Sequence, residues 1–166
     1  MKITKDLNTL SKNEFITIFG SIFEKSEWIA NDTFKLKPFK NSKDLVDKMI
    51  NIYDSCSVDK ILIILNLHPK LAIEKKLSSF SSKEHTGAKL DKCSQEELIE
   101  FDKLNFDYEK KFQFPFIIAV KGKNKDQILE NFRIRIKNNY DEEFKEAKKQ
   151  VMKIALFRLI DILEIH

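Results

Sequence analysis

Glycine and proline are scarce in this sequence, with only three of each among 166 residues. A β-sandwich or β-barrel connects many short strands through turns, and glycine and proline are the residues that those turns need. Their scarcity argues against a many-stranded β architecture and favours helices. The length fits one domain that buries its core without disulfides or a structural metal.

Cysteine is also rare, and the two copies, Cys56 and Cys93, lie far apart. The sequence has no C-x-x-C, H-x-x-x-H or H-E-x-x-H pattern and no glycine-rich phosphate loop. These absences argue against a disulfide framework, and they predict no metal site, no bound nucleotide and no cofactor. Two cysteines without paired spacing fit a reducing compartment.

Long hydrophobic runs and blocks of like charge are missing as well. The first residues contain no apolar signal core, and the longest apolar run, residues 61–65, is too short to span a bilayer. The 30 basic and 26 acidic residues are interspersed, whereas a phosphate-binding surface gathers its lysines and arginines into a patch. We therefore expect a cytoplasmic protein with no membrane and no nucleic-acid partner.

Apolar residues recur at helical spacing along most of the chain, and several runs follow a capping signature. The predicted helices begin at Ser11, at Asn41 or Ser42, near Val58 and at Ser94; another carries Ile128, Leu129, Phe132, Ile136 and Tyr140, and the last begins near Asp141. Residues 24–38 fit either a short helix or an irregular packed segment. The apolar run at 114–120 has a proline near its start, which predicts a short buried extended segment.

His68 is the first candidate for chemistry. The helix that begins near Val58 must end close to it, because Pro69 disfavours the α conformation for the preceding residue. A histidine in this place is ordinarily a surface or rim residue. Alternatively, the carbonyl end of the preceding helix favours imidazolium and holds a proton ready near neutral pH. The local sequence leaves both interpretations open.

Arg158 is the second candidate, because it lies on an apolar face of the last predicted helix. That face carries Phe144, Ala147, Val151, Ile154, Ala155, Arg158 and Ile162. The guanidinium either reaches the rim of the core or pairs with Asp161, or it lines an internal polar pocket. A third polar feature is the break at residues 78–87, where Ser81 and Glu84 have the spacing of a capping box.

Six blocks of sequence, taken in order, resemble a known family. They are FGSIFEKSEWIA at 19–30, HPKLA at 68–72, SSKEHTGAKL at 81–90, LNFDY at 104–108, KFQFPF at 111–116 and IALFRL at 154–159. In order and spacing they resemble the 2-oxo-4-hydroxy-4-carboxy-5-ureidoimidazoline (OHCU) decarboxylase family of urate degradation. The resemblance covers nearly the whole chain.

The resemblance implies an all-α, single-domain helical bundle over residues 1–166, commonly a homodimer, that converts OHCU to (S)-allantoin and CO2. It implies that His68 is the general acid/base, that Glu84 orients His68 or binds the ureido group, and that Arg158 stabilises a developing oxyanion or holds the carbonyl side. The implied substrate-binding residues are Pro69, Ser81, Ser82, Lys83, Glu84, His85, Phe116, Ile117, Ile118, Ala119 and Val120. It implies no metal.

Three positions depart from the family pattern. The family usually has Asp where Lys70 stands, Pro where Glu27 stands and Gln where His85 stands. Glutamine offers an amide donor and a carbonyl acceptor that histidine does not reproduce. Two alternatives follow: a related cofactor-free lyase with a shifted ureido or cyclic amide substrate, or an inactive helical module that binds an acidic partner. Binding alone would not require His68, Glu84 and Arg158 together.

Overall fold

The computed structural model describes residues 6–71 and 93–164, which contain seven α-helices and no β-strand. The helices are α1 (Lys12–Phe19), α2 (Glu27–Phe34), α3 (Ser42–Asp54), α4 (Val58–Asn66), α5 (Gln95–Phe112), α6 (Lys125–Arg135) and α7 (Tyr140–Leu163). The all-α prediction is confirmed over these ranges. None of these helices is long and apolar enough to cross a membrane.

Three helices begin where the capping signatures predict. The Ser11 side chain accepts a hydrogen bond from the Glu14 amide, and the Glu14 carboxylate accepts one from the Ser11 amide at 2.8 Å. Ser94 and Glu97 form the same reciprocal pair at the start of α5. The Asn41 side chain accepts from the Asp44 amide and caps α3. Local side-chain chemistry therefore sets these three starts.

Two segments differ from the sequence analysis or complete it. Residues 24–38, left open above, contain the short helix α2. The predicted helix that carries Ile136 and Tyr140 ends earlier, at Arg135, so its predicted extent is wrong. The Asn139 side chain accepts from the Glu142 amide at 3.0 Å, as the cap of a new helix does, and Tyr140 is the first residue of α7.

The chain forms two compact units, and the first comprises Met1–Ile64 with Met152–His166. Aromatic rings fill its core. Phe15 on α1 contacts Phe34 on α2 with ring centroids 5.5 Å apart, and Phe23 stacks on Tyr53 of α3 at 4.9 Å. Burial of these large side chains holds the three short helices together.

The second unit is Leu65–Val151, and its core is also aromatic. Tyr108 of α5 packs edge-on against Phe116 and Phe132, with centroids 5.3 and 5.6 Å away. Phe116 and Phe132 stack nearly parallel at 3.8 Å. These contacts fix the non-helical segment that carries Phe116 against helices α5 and α6.

Candidate active site

His68 lies two residues beyond the end of α4, as the following proline predicts. Its amide donates to the Leu65 carbonyl at 3.2 Å, which closes the last turn of the chain before Pro69. Only 9% of the His68 surface is exposed, so the interpretation as a surface residue is wrong. Pro69 is half-buried beside it. The structure therefore shields the His68 imidazole from most contact with bulk water.

The segment 116–120 is neither helix nor strand, and all five of its residues are buried, as predicted. The Phe116 ring stacks on Phe132 and also lies 4.5 Å from the guanidinium carbon of Arg135. Arg135 Nη1 donates to the Ile117 carbonyl at 2.7 Å. The Ala119 amide donates to the Gln150 side chain at 2.9 Å. Side chains from α6 and α7 therefore hold this backbone in place.

Behind that segment lies a buried charged cluster centred on Glu143. Arg135 donates to Glu143 Oε1 from Nε at 3.0 Å and from Nη2 at 2.5 Å, and Asn138 donates to Oε2 at 2.8 Å. The Tyr108 hydroxyl donates to Oε1. Burial raises the pKa of Tyr108 well above its usual range, so the hydroxyl remains a donor. Both oxygens of the fully buried Glu143 carboxylate therefore accept hydrogen bonds, which offsets the cost of burying its charge.

The sequence analysis missed Arg135 and Glu143. Phe144, which was predicted to lie on the buried face of the last helix, is half-buried, and its neighbour Glu143 is buried instead. The available signal was spacing: Glu143 precedes Ala147 by four residues, and Arg135 follows Phe132 by three. One buried charge of each sign, on two different helices, indicates an ion pair. Periodicity alone, however, does not show which face of one helix packs against which face of the other.

Arg158 is 2% exposed on α7, so it does not reach the rim of the core. Its Nη1 donates to the carbonyls of Ser21 and Ile22 at 3.3 and 3.1 Å and to Glu24 Oε2 at 3.4 Å. These three acceptors lie just after Gly20, where an added Cβ would stand 2.5 Å from the Ile16 carbonyl oxygen. Of the alternatives left open by the sequence, the position at the rim is therefore excluded, and Glu24 is one of the charged partners of Arg158.

The structure brings His68, Pro69 and the segment 116–120 into the same compact unit, Leu65–Val151, while Arg158 belongs to the other unit. The remaining predicted site residues, Ser81, Ser82, Lys83, Glu84 and His85, lie outside the described residues. Within the ranges 6–71 and 93–164, no three His, Cys, Asp or Glu side chains gather as metal ligands.

Comparison with known proteins gives consistent similarities over nearly the whole chain. A sequence model of the OHCU decarboxylase family matches residues 8–160. The uric acid degradation bifunctional protein of Bacillus sp. (strain TB-90) is 37% identical over 158 residues, which are 95% of this chain and 32% of that protein. The 2-oxo-4-hydroxy-4-carboxy-5-ureidoimidazoline decarboxylase of Haloferax volcanii is 32% identical over 157 residues, which are 95% of this chain and 94% of that one.

A similar solved structure is the crystal structure of (S)-allantoin synthase, with a TM-score of 0.79 and 28% identity. The match covers 98% of this chain and 54% of that chain. The chain thus spans about a third of the length of the Bacillus relative and about half of the solved chain.

Proposed function

The chain belongs to the OHCU decarboxylase family, and from this premise we propose that it converts OHCU to (S)-allantoin and CO2 in urate degradation. The observation that carries the proposal is the family match over residues 8–160. The substrate is a small molecule and no cofactor takes part. The proposal extends to a cytoplasmic homodimer in which residues 1–166 act as one domain.

The substrate itself supplies the electron sink for this reaction. The carbon that loses CO2 lies next to a C=N bond of the ring. When the carbon–carbon bond breaks, its electron pair delocalises through the C=N bond to give an enol with the 4-hydroxyl. A proton then adds to the neighbouring ring carbon that bears the ureido group, while the 4-hydroxyl loses its proton and becomes a carbonyl of allantoin. The protein has to orient the ring and deliver that proton to one face, which sets the handedness of the product.

His68 is the general acid/base of the proposed mechanism, and it exchanges a proton with the 4-hydroxyl or the ring carbon. Its burial just beyond α4 supports this role, because an imidazole shielded from bulk water exchanges protons with a bound substrate in preference to solvent. Glu84 orients the imidazole or accepts hydrogen bonds from the ureido group.

Arg158 acts on oxygen that develops negative charge, or holds the carbonyl side of the substrate. A strong clamp on the departing carboxylate would stabilise the ground state more than a transition state in which that charge disperses. Nη1 donates to the carbonyls of Ser21 and Ile22 and to Glu24, and these contacts support the role by holding the guanidinium in a fixed position.

The backbone of 116–120 forms one wall of the proposed pocket, together with Pro69, Ser81, Ser82, Lys83 and His85. Arg135 occupies the Ile117 carbonyl and Gln150 occupies the Ala119 amide. The Ala119 amide has a single proton, so substrate would bind other backbone groups of this segment. The two side chains support the proposal because they preorganise the wall before substrate binds.

The proposal is tested by the rate at which freshly generated OHCU disappears, in wild type and in His68→Ala and Glu84→Ala variants. Loss of a general acid/base lowers kcat by about 10²- to 10⁴-fold. Wild type that does not exceed the spontaneous decay rate would refute the proposal for this substrate. A His85→Gln variant, tested on OHCU and on related ureido compounds, measures whether that departure tunes specificity.

A further inference from the structure

Helix α5 binds both residues that follow the His68-Pro69 pair. Lys70 Nζ lies 2.8 Å from Glu109 Oε2, and Asn105 Nδ2 donates to the Leu71 carbonyl at 3.2 Å. Asn105 and Glu109 are four residues apart, so they lie one turn apart on the same face of α5. The helix therefore holds the chain at two consecutive residues by two different chemical groups.

These contacts limit where His68 can lie. On its N-terminal side, the His68 amide is bound to the Leu65 carbonyl at the end of α4. On its C-terminal side, the Lys70–Glu109 ion pair and the hydrogen bond from the Asn105 side chain to the Leu71 carbonyl fix the chain to α5. A shift of the imidazole by movement of the backbone would break at least one of these contacts.

We propose that Asn105 and Glu109 are positioning residues for His68. Their contacts with Lys70 and Leu71 form a tether between the chain after His68 and helix α5. Lys70 stands where the family usually has Asp, and it belongs to this tether instead of contacting substrate. The catalytic part of this inference rests on the proposed function, because it takes His68 as the acid/base. The lysine at position 70, in place of the usual Asp, is then matched by the acidic Glu109 on α5, and this difference does not by itself change the substrate.

The burial of Asn105 supports the proposal independently of the ion pair. Asn105 is 3% exposed, and among the described residues its Oδ1 is a buried acceptor without a hydrogen-bond partner. An unpaired buried acceptor is destabilising, and an apolar side chain of similar size would avoid it. The hydrogen bond that the same amide donates to Leu71 gives asparagine a role that leucine lacks.

A second ion pair on α5 provides a matched control. Arg133 of α6 lies 2.8 Å from Glu100 of α5, and the two side chains are 47% and 37% exposed. The corresponding values for Lys70 and Glu109 are 43% and 32%. The two ion pairs are similar in distance and in side-chain exposure. Only the Lys70–Glu109 pair contacts the turn that carries His68.

The main experiment is a charge swap in the full chain, with Lys70→Asp, Glu109→Lys and the double variant. Each single variant opposes two like charges and displaces the turn, so we expect kcat to fall about 3- to 10-fold with KM nearly unchanged. The double variant restores the attraction and recovers kcat to within about 2-fold. The swap Arg133→Glu with Glu100→Arg leaves kcat unchanged in all three combinations.

Either of two outcomes would overturn the inference. Unchanged kcat in both single variants would show that the tether does not position His68. A rise in KM for Lys70→Asp that the double variant does not correct would show that Lys70 contacts substrate. Asn105→Leu gives a separate check: we expect undiminished stability to urea with a roughly 10-fold lower kcat.

An NMR measurement keeps the inference testable even if wild type does not act on OHCU. The imidazole proton signal of His68 is assigned by its loss in His68→Gln. We expect the signal to move in Lys70→Asp and in Glu109→Lys and to return in the double variant. If wild type is inactive but the signal behaves in this way, only the proposed function fails; if wild type is active and the signal does not move, only the tether fails.

Discussion

Two buried arginines have parallel roles in the two compact units. Arg135 binds Glu143 and the Ile117 carbonyl, and Arg158 binds Glu24 and the carbonyls of Ser21 and Ile22. In each case a guanidinium satisfies a carboxylate and the backbone of a non-helical segment at once. Arg135 therefore supports the proposed pocket from behind, while Arg158 combines a structural role with its proposed catalytic one.

Replacement of Arg158 by methionine tests the structural role. Met fills most of the same volume, but it leaves the buried Glu24 carboxylate and two carbonyls without this donor. We expect Arg158→Met to lower the free energy of unfolding by about 3–5 kcal/mol, measured by urea denaturation. A loss below about 1 kcal/mol would contradict the account. Activity of Arg158 variants therefore has to be expressed per folded molecule.

The sequence predicted single residues well where one neighbour decides the outcome. Pro69 alone places His68 at a helix exit, whereas the apolar neighbours of Arg158 left open whether its guanidinium is buried. It did not predict the partners Glu24 and Glu143, because both contacts join segments distant in sequence or helices whose faces must first be matched. The tether at Lys70 was missed for the same reason, since Glu109 is 39 residues away.

Helices α1 and α5, which begin with reciprocal capping pairs, were predicted correctly, whereas the segment that contains α2 was left open. The reciprocal pairs at Ser11 and Ser94 mark α1 and α5, because every atom involved lies within four residues. By contrast, the Ser26 side chain makes no capping hydrogen bond at α2, which left residues 24–38 undecided. The end of α6 was predicted too late in the sequence, because apolar spacing continues beyond Arg135 to Ile136 and Tyr140.

The start of α5 predicts a pH-dependent stability. Hydrogen bonds from Lys125 and from the Ser94 amide hold the pKa of Glu97 below its ordinary value of 4.5. A folded-state pKa below the unfolded one adds stability above the unfolded pKa, and this is lost as the pH falls through the folded pKa. We therefore expect Glu97→Gln to destabilise the protein at neutral pH and to have a much smaller effect below about pH 3.

Urea denaturation at both pH values measures this difference. Asp107→Asn is the control, because the Asp107 side chain is 44% exposed on the same helix and its carboxylate lies 4.0 Å from Lys103 Nζ. It should have little effect at either pH. An equal effect of Glu97→Gln at both pH values would contradict the assigned role of its carboxylate.

At the scale of the whole molecule, the prediction of one domain over residues 1–166 has a direct test. Helix α7 continues from the unit Leu65–Val151 into the other unit at Met152, which favours joint unfolding. The only tryptophan, Trp28, lies in the first unit, whereas far-UV circular dichroism reports all the helices. We expect the fluorescence and dichroism transitions in urea to coincide. Separate midpoints would indicate two domains.

The central claim is that the chain is an OHCU decarboxylase whose product is (S)-allantoin, and the handedness of that product tests it most directly. Freshly generated OHCU decays slowly by itself to racemic allantoin, which has no net circular dichroism. We predict that wild type produces the dichroism of (S)-allantoin at a rate proportional to protein concentration, and that His68→Ala does not. Racemic product formed at the spontaneous rate in the presence of wild type would contradict the claim.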